Sequence, residues 1–346
     1  EKRVTLLEGG IGSVACASGM AALSNAFMNI LQSGDEIVAA AGLYGGTVEL
    51  FEDLEAFGIT TRYVKKNEPE SYEELITDKT RLIFAETIGN PMLDVTDIAA
   101  VAEMAHRNHL PLIIDNTVAT PYLVKPISLG ADVVVNSSSK YMNGNSDAIS
   151  GVLTWSGKFK WDGERYPSMA PYKKFGPMAY IAKLRNGLFR NMGACLSPQN
   201  AFLNNLGLET LGLRMERQCA NALELAKYLD TLEGITVNYP GLPDSPYHEL
   251  AKRQLHGGFG AIVTMRTGSK ERAFEIINAL QLPFILSNIG DTKTLVIHPA
   301  STIAVHLSKE DQIQSGVYDD LIRVSVGIED VEDLKKDFAN AIGGTR

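Results

Sequence analysis

Cysteine is scarce: a chain of 346 residues has three, Cys16, Cys195 and Cys219. Their long, unpatterned spacing argues against a disulfide framework and a thiolate metal site, and it predicts a reducing, cytoplasmic compartment. Basic charge is in deficit as well. The 32 lysines and arginines are outnumbered by 41 aspartates and glutamates, a formal net charge of −9. A chain of that sign offers no extended positive field to nucleic acid. No apolar run approaches the ~18 residues of a membrane-spanning helix, no secretory leader pattern opens the chain, and repeats are not visible. The remaining balance, 45% hydrophobic and 21% charged, is that of a folded globular protein. Its length suits two domains, or one large α/β domain with an appendage.

The opening residues, EKRVTLLEGG, read as the end of a helix, apolar at Val4, Leu6 and Leu7 and closed by Gly9-Gly10. They carry no initiating methionine, and the chain is expected to start within a domain. From there helical and extended patterns alternate. GMAALSNAFMNILQSGD and GGTVELFEDLEAFG have helical periodicity, and EIVAA and TTRYV are strand-like. RLIFAE, LPLIIDN and ADVVVNS are apolar on both faces, the signature of strands in a parallel sheet covered by helices. Such sheets bind ligands beyond the carboxyl ends of their strands. Polar residues gather there: Glu86-Thr87, then Asp115-Asn116-Thr117, then Ser137 to Lys140. Residues 155–192, aromatic, basic and proline-punctuated, read as a long functional loop. A long helical stretch from Pro198 to Leu232 follows, and strands (GAIVTMR, TLVIHP, LIRVSVG) mixed with helices complete an α+β unit. The expected division is 1–195 and 196–346.

Two motifs fail on context. Gly10-x-Gly12 begins a dinucleotide fingerprint, but Ala15 replaces its third glycine and a helix rather than a strand precedes it. His106 and His109 could ligate a metal, yet no carboxylate or cysteine cluster flanks them in sequence, and histidine suits a helix C-terminus. A third motif is stronger. ASGMAALSNAF runs small residues into a helix start at Gly19-Met20, where free backbone N–H groups can seat a phosphate. Lys140, in NSSSKYMNGNSD, follows an apolar strand, and burial would lower its pKa as a Schiff-base amine requires. Asp115 closes another apolar strand and can hold a pyridine nitrogen protonated, though it could also cap a helix. Tyr44 in LYGGT can stack on a ring, or be an ordinary turn tyrosine. Ser137 and Ser139 lie on one face of an extended segment and can bind phosphate. Together these point to pyridoxal phosphate.

The ordered set SGMAA, LYGGT, ET-x-x-NP, DNT-x-ATPY, S-x-S-KY-x-NG-x-SD and IRVSVGIED resembles the Cys/Met-metabolism pyridoxal phosphate enzymes, over essentially the whole chain. The resemblance implies an aspartate-aminotransferase-like α/β fold (fold type I), with a large domain on a mostly parallel sheet and a smaller C-terminal α+β domain. It implies Lys140 as the cofactor's lysine, Asp115 at the pyridine nitrogen, Gly19, Met20, Ser137 and Ser139 at the phosphate, and Tyr44 on the ring. It also implies Asn90 and Thr117 as cofactor contacts, and Arg323 with Asn288 at the substrate, Arg323 clamping an α-carboxylate (the bland alternative is a strand-edge ion pair).

The segment FGPMAYIAKLRNGLFRNMGACLSPQNAFL, Asn288 and Gly46 resemble the O-acetylhomoserine sulfhydrylase branch. The implied reaction is γ-replacement by sulfide or methanethiol; the alternatives are γ-synthase or γ-lyase chemistry, or an inactive truncated homologue. Ser139 stands where the family has threonine, and Asn136 where it has histidine. An N-terminal arm carrying Tyr-x-Arg, which in the family reaches a neighbour's phosphate, is expected to be missing. The expected partners are amino-acid and thiol substrates and further copies of the chain, as a tetramer built from dimers.

Overall fold

The computed structural model describes residues 1–344. Helix α1 (Lys2–Glu8) ends at Gly9, whose φ of 75° is the left-handed conformation that lets the chain turn sharply out of the helix. A seven-stranded sheet follows: β1 (Gly12–Cys16), β2 (Glu36–Ala39), β3 (Thr60–Tyr63), β4 (Thr80–Glu86), β5 (Leu112–Asp115), β6 (Val133–Asn136) and β7 (Gly151–Trp155). Their spatial order is β1-β7-β6-β5-β4-β2-β3. β2 to β6 are parallel, and β7 runs antiparallel to both β6 and β1. The interior of β4, all of β6 and the first three residues of β5 are buried, which is why these strands read as unbroken apolar runs. At β3 the burial alternates, as an edge strand with one wet face requires. Helices α2 (Gly19–Met28) and α3 (Gly45–Glu55) start at the carboxyl ends of β1 and just beyond β2.

The second sheet has the order β10-β11-β12-β9-β8, from β8 (Thr236–Asn238), β9 (Ile262–Arg266), β10 (Phe284–Ile285), β11 (Leu295–Ile297) and β12 (Leu321–Ser325). Val324, Ile322, Phe338 and Leu334 belong to a separate core here. The expected long helix is broken at Thr210 into Pro198–Glu209 and Leu211–Asp230. The second piece serves both cores: Met215 and Cys219 pack under the large sheet, Leu225 and Leu229 under the small one.

Residues 155–192 are not a long loop. They contain a 3-10 segment (Pro167–Met178) and helices Ala179–Asn186 and Leu188–Met192. The aromatic residues that suggested a functional loop form a packed cluster instead. The Trp155 and Tyr180 rings stack at 4.8 Å, Trp161 stacks on Tyr180 at 5.8 Å, and Tyr166 meets Trp161 edge-on at 5.1 Å.

Candidate active site

The carboxyl ends of β1, β4, β5 and β6, with a loop before β11 and the strand β12, enclose a cavity of about 410 Å³. Its lining includes every residue singled out from the sequence: Gly19, Met20, Tyr44, Asn90, Asp115, Thr117, Ser137, Ser139, Lys140, Asn288 and Arg323. None of residues 155–192 lines it.

One side is a cradle. Ser18 caps α2, its hydroxyl accepting the Ala21 N–H at 3.0 Å. The N–H groups of Gly19 and Met20 then have no acceptor within the helix. A Cβ on Gly19 would lie 2.6 Å from the Ser137 Cβ and 2.8 Å from its Oγ, so only glycine lets the two segments approach this closely. The strand ends are also tied together. The Thr117 N–H donates to Asp115 Oδ1 at 2.8 Å, and the Ser137 N–H donates to Thr117 Oγ1 at 2.8 Å. Ser139 lines the same cavity and also has partners in the protein. Its hydroxyl donates to the Ser150 carbonyl at 2.9 Å and accepts the Ser150 N–H at 2.8 Å, so its proton already has an acceptor in the protein.

The floor carries two carboxyls in register. Glu86 and Asp115 end neighbouring parallel strands as a directly paired couple. Burial pushes the Asp115 carboxyl up to about 6. Glu86 is pushed well above the ordinary carboxylate range, by burial first and by the charge of Asp115 second. Burial thus disfavours charge on both carboxyls, and at Glu86 the charge of Asp115 adds to it. Glu86 also accepts the Tyr44 N–H at 2.7 Å, positioning a tyrosine whose ring lies against Gly46 with no room for a Cβ. Glu86 was visible as a polar strand end, but nothing in its sequence context marked it as a site residue.

The opposite wall carries two cations. Burial, and next the nearby Arg323, lower the pKa of Lys140. Its Nζ donates to the side-chain carbonyl of Asn288. Asn288 passes the contact on: its Nδ2 donates to Ser146 Oγ at 2.8 Å, and its backbone carbonyl accepts from Arg323 Nη2 at 3.0 Å. Arg323 is only 3% exposed. Its Nη1 donates to Asn90 Oδ1 at 3.2 Å, while its Nε has no partner. Among the described residues neither cation forms an ion pair, so the strand-edge salt bridge is not what holds Arg323. A buried guanidinium without a carboxylate is costly unless a ligand supplies the anion.

Supporting residues also escaped the sequence reading. Arg214, from the helix Leu211–Asp230, gives its guanidinium to the carbonyls of Tyr141 (2.6 Å), Met142 (3.2 Å) and Gly207 (2.7 Å), fixing the turn after Lys140. Glu8 is fully buried behind the strand ends. Its Oε1 accepts from Asn136 Nδ2 at 2.7 Å and Asn116 Nδ2 at 3.3 Å, while Oε2 has no partner. His106 turns out to be structural, bonded to Asp132 at 2.8 Å, and no metal-holding cluster occurs among the described residues.

Burial raises Glu8 from 4.5 to about 7. The folded state thus keeps a proton that the unfolded chain releases above about 4.5. The contribution to stability is full below that pH and is lost as pH rises toward 7. Glu8→Gln, which accepts the same bonds and cannot ionise, is expected to gain stability over the parent by on the order of 2–3 kcal/mol between pH 5 and pH 8. Urea unfolding at the two pH values measures this; a gain that shrinks with rising pH would refute it.

The donor set suits a phosphorylated pyridine aldehyde: a cradle of free N–H groups closed to any Cβ, a buried carboxylate facing the same cavity, and a lysine without an acidic partner. The model of the family described as "Cys/Met metabolism PLP-dependent enzyme" matches residues 1–343. The chain is 42% identical to a homocysteine synthase of Schizosaccharomyces pombe, over 99% of this chain and 83% of that one. A crystal structure of a putative O-acetylhomoserine (thiol)-lyase from Campylobacter jejuni, containing N'-pyridoxyl-lysine-5'-monophosphate, is similar with a TM-score of 0.94 and 35% identity, covering 99% of this chain and 85% of that one. An O-acetylhomoserine sulfhydrylase of Wolinella succinogenes is similar with a TM-score of 0.88 and 40% identity, covering 99% and 94%. With the fold, the cavity and the match over residues 1–343 in agreement, the chain belongs to the pyridoxal-phosphate-dependent enzymes of Cys/Met metabolism.

Proposed function

We propose that the protein catalyses γ-replacement on O-acetyl-L-homoserine, with sulfide displacing acetate to give L-homocysteine. The observation that carries this reading is the pair of cations, buried Arg323 and half-buried Lys140, joined through Asn288 and, among the described residues, without an ion-pair partner. An amino-acid substrate supplies that anion as its α-carboxylate, which the planar fork of Arg323 suits. The relatives' names, homocysteine synthase and O-acetylhomoserine sulfhydrylase, supply the choice of donor and nucleophile.

In this reading Lys140 holds the cofactor covalently and Asp115 pairs with its pyridine nitrogen. Gly19 and Met20 N–H groups and the Ser137 hydroxyl take the phosphate, and Thr117 fixes Ser137. Ser139 joins them by turning its proton away from Ser150. Tyr44 would cover the ring and Asn90 would contact its hydroxyl. The bound cofactor supplies an electron sink for the substrate's α-carbon. Asp115, ionised at neutral pH, stabilises positive charge on the ring. Lys140 moves protons at the substrate Cα and Cβ, and its lowered pKa lets Nζ serve as base and then as acid. Burial keeps the Tyr44 phenol protonated, available to donate a hydrogen bond.

Gly19→Ala is expected to weaken pyridoxal phosphate binding by about 10- to 100-fold, the effect of 1–3 kcal/mol of overpacking against Ser137. Equilibrium titration with the cofactor measures it; unchanged affinity would move the phosphate elsewhere. Among the described residues, no lysine or arginine other than Lys140 and Arg323 lines the cavity. A phosphate dianion held by a helix start and hydroxyls is only partly compensated. We therefore place a second copy of the chain, in a tetramer built from dimers, against this opening; sedimentation of an active, cofactor-saturated monomer would refute that. For the reaction itself, the test is mass spectrometry of products from O-acetylhomoserine with labelled sulfide. Labelled homocysteine and acetate are expected. A 2-oxo acid with ammonia, and no sulfur incorporated, would overturn the assignment in favour of γ-elimination.

A further inference from the structure

β1 has a strand neighbour, β7, on one side only. Along its other edge its last residue, Cys16, forms an isolated antiparallel bridge with Cys195. The Ala17 N–H donates to the Ala194 carbonyl at 2.9 Å, so the hydrogen bond flanks the bridge. Cys16 and Cys195 are thus a non-hydrogen-bonded pair, with Cα atoms about 4.5 Å apart and side chains on the same face. That separation falls inside the span of about 4.4–6.8 Å that a disulfide bridges. The two partners are chemically unequal. Cys195 is exposed and Cys16 is buried. Burial pushes the Cys16 thiol up to about 12, so it is inert toward reagents in solution. The pair is invisible in the sequence because 178 residues separate the two cysteines.

We propose that Cys16 and Cys195 are a redox modification site, closing to a disulfide when the protein meets a low-molecular-weight disulfide such as oxidised glutathione. The Cys195 thiolate attacks one sulfur of the reagent, forming a mixed disulfide and releasing one thiol. Cys16 loses its proton to the medium and attacks the Cys195 sulfur, expelling the second thiol. Two protein thiols are oxidised, one reagent disulfide is reduced to two thiols, and protons balance. Cys16 can take part despite its high pKa because the sulfur it attacks is held beside it.

The bond would join two segments that flank the cavity. Cys16 leads directly to Ser18, Gly19 and Met20, which line it. On the other side, Ser197 caps the helix Pro198–Glu209, and Asn200 Nδ2 donates at 2.8 Å to the carbonyl of Ile149, another lining residue. Resting on the cofactor reading above, the disulfide holds the cradle against opening and slows cofactor loss several-fold.

The test uses the full-chain holoenzyme, equilibrated in glutathione buffers of rising oxidised fraction, alkylated, digested without reductant and examined by mass spectrometry. The expected result is one linked peptide joining Cys16 to Cys195, lighter by a pair of hydrogens, reversed by dithiothreitol and absent in Cys195→Ser. Cys195→Ser is an exposed substitution outside the cavity and keeps the test valid if Cys16→Ser does not fold. Cys195 stopping at a glutathione adduct, or linking to Cys195 of a second copy, would overturn the pair. Linked protein that releases cofactor at the reduced protein's rate would overturn the coupling to the cradle alone.

Discussion

Lys140→Ala is expected to cut turnover by about 10⁴-fold or more, and to remove the visible absorption of the lysine-linked cofactor while leaving the fold intact. The proposed roles of Lys140 are covalent attachment and proton transfer at the substrate, and no neighbour can take over either. The cavity's other basic group, Arg323, remains protonated at any working pH even after burial pushes it down to about 10. The cost to stability should be small, because the Lys140 ammonium is bonded to Asn288 alone and burial disfavours its charge. Steady-state assay, absorption spectra and circular dichroism of the variant decide the matter. A variant that still yields a borohydride-reducible cofactor adduct would move the linkage to another lysine.

Asp115→Asn should lower the turnover rate by about 10²–10³-fold with cofactor attachment preserved, the scale of losing one preorganised electrostatic contact. The substitution isolates charge from geometry. An asparagine Oδ1 still accepts the Thr117 N–H, so the link through Thr117 to Ser137 survives. The pH dependence carries the sign. With its carboxyl near 6, Asp115 gains a proton as pH falls through that value, and the parent's rate should fall with it. The asparagine variant has nothing to titrate there and should be flat across the same limb. Near-normal turnover would transfer the role to Glu86, the other carboxyl of the register pair.

The sequence was most legible where burial is uniform. β4, β5 and β6 are covered on both faces, so their composition alone announces a parallel sheet, and the polar residues ending them had to face a common cavity. That is why Lys140, Asp115 and Ser137 could be found together without coordinates. β1 (GSVAC) and β7 (GVLTW) gave no such signal, because glycine, serine and threonine interrupt their apolar residues and the two meet across a long stretch of chain. Residues acting through others were equally hidden. Arg214 reads as one more charge on a helix, and only folding sends it to the Tyr141 carbonyl. Glu8 reads as a helix end, yet it sits beneath Asn116 and Asn136. The aromatic run after Trp155 misled because ring-rich composition serves a packed layer as well as a binding loop. The division at 195/196 stays a proposal, since the helix Leu211–Asp230 contributes to both cores and limited proteolysis has to locate the joint.

The unpaired cations of the cavity wall have a consequence for how the phosphate-bearing cofactor arrives. Before any ligand enters, Lys140 and Arg323 line the cavity, and among the described residues neither is paired with a carboxylate. The chain around it carries a formal charge of −9. An anion approaching from bulk first meets repulsion, which salt screens beyond about 8 Å at physiological ionic strength. Only close to the opening does attraction take over, where the low-dielectric walls leave it largely unscreened. Moderate salt should therefore hasten the encounter with the anionic cofactor, the reverse of the slowing seen when a protein steers its ligand by a field of opposite sign.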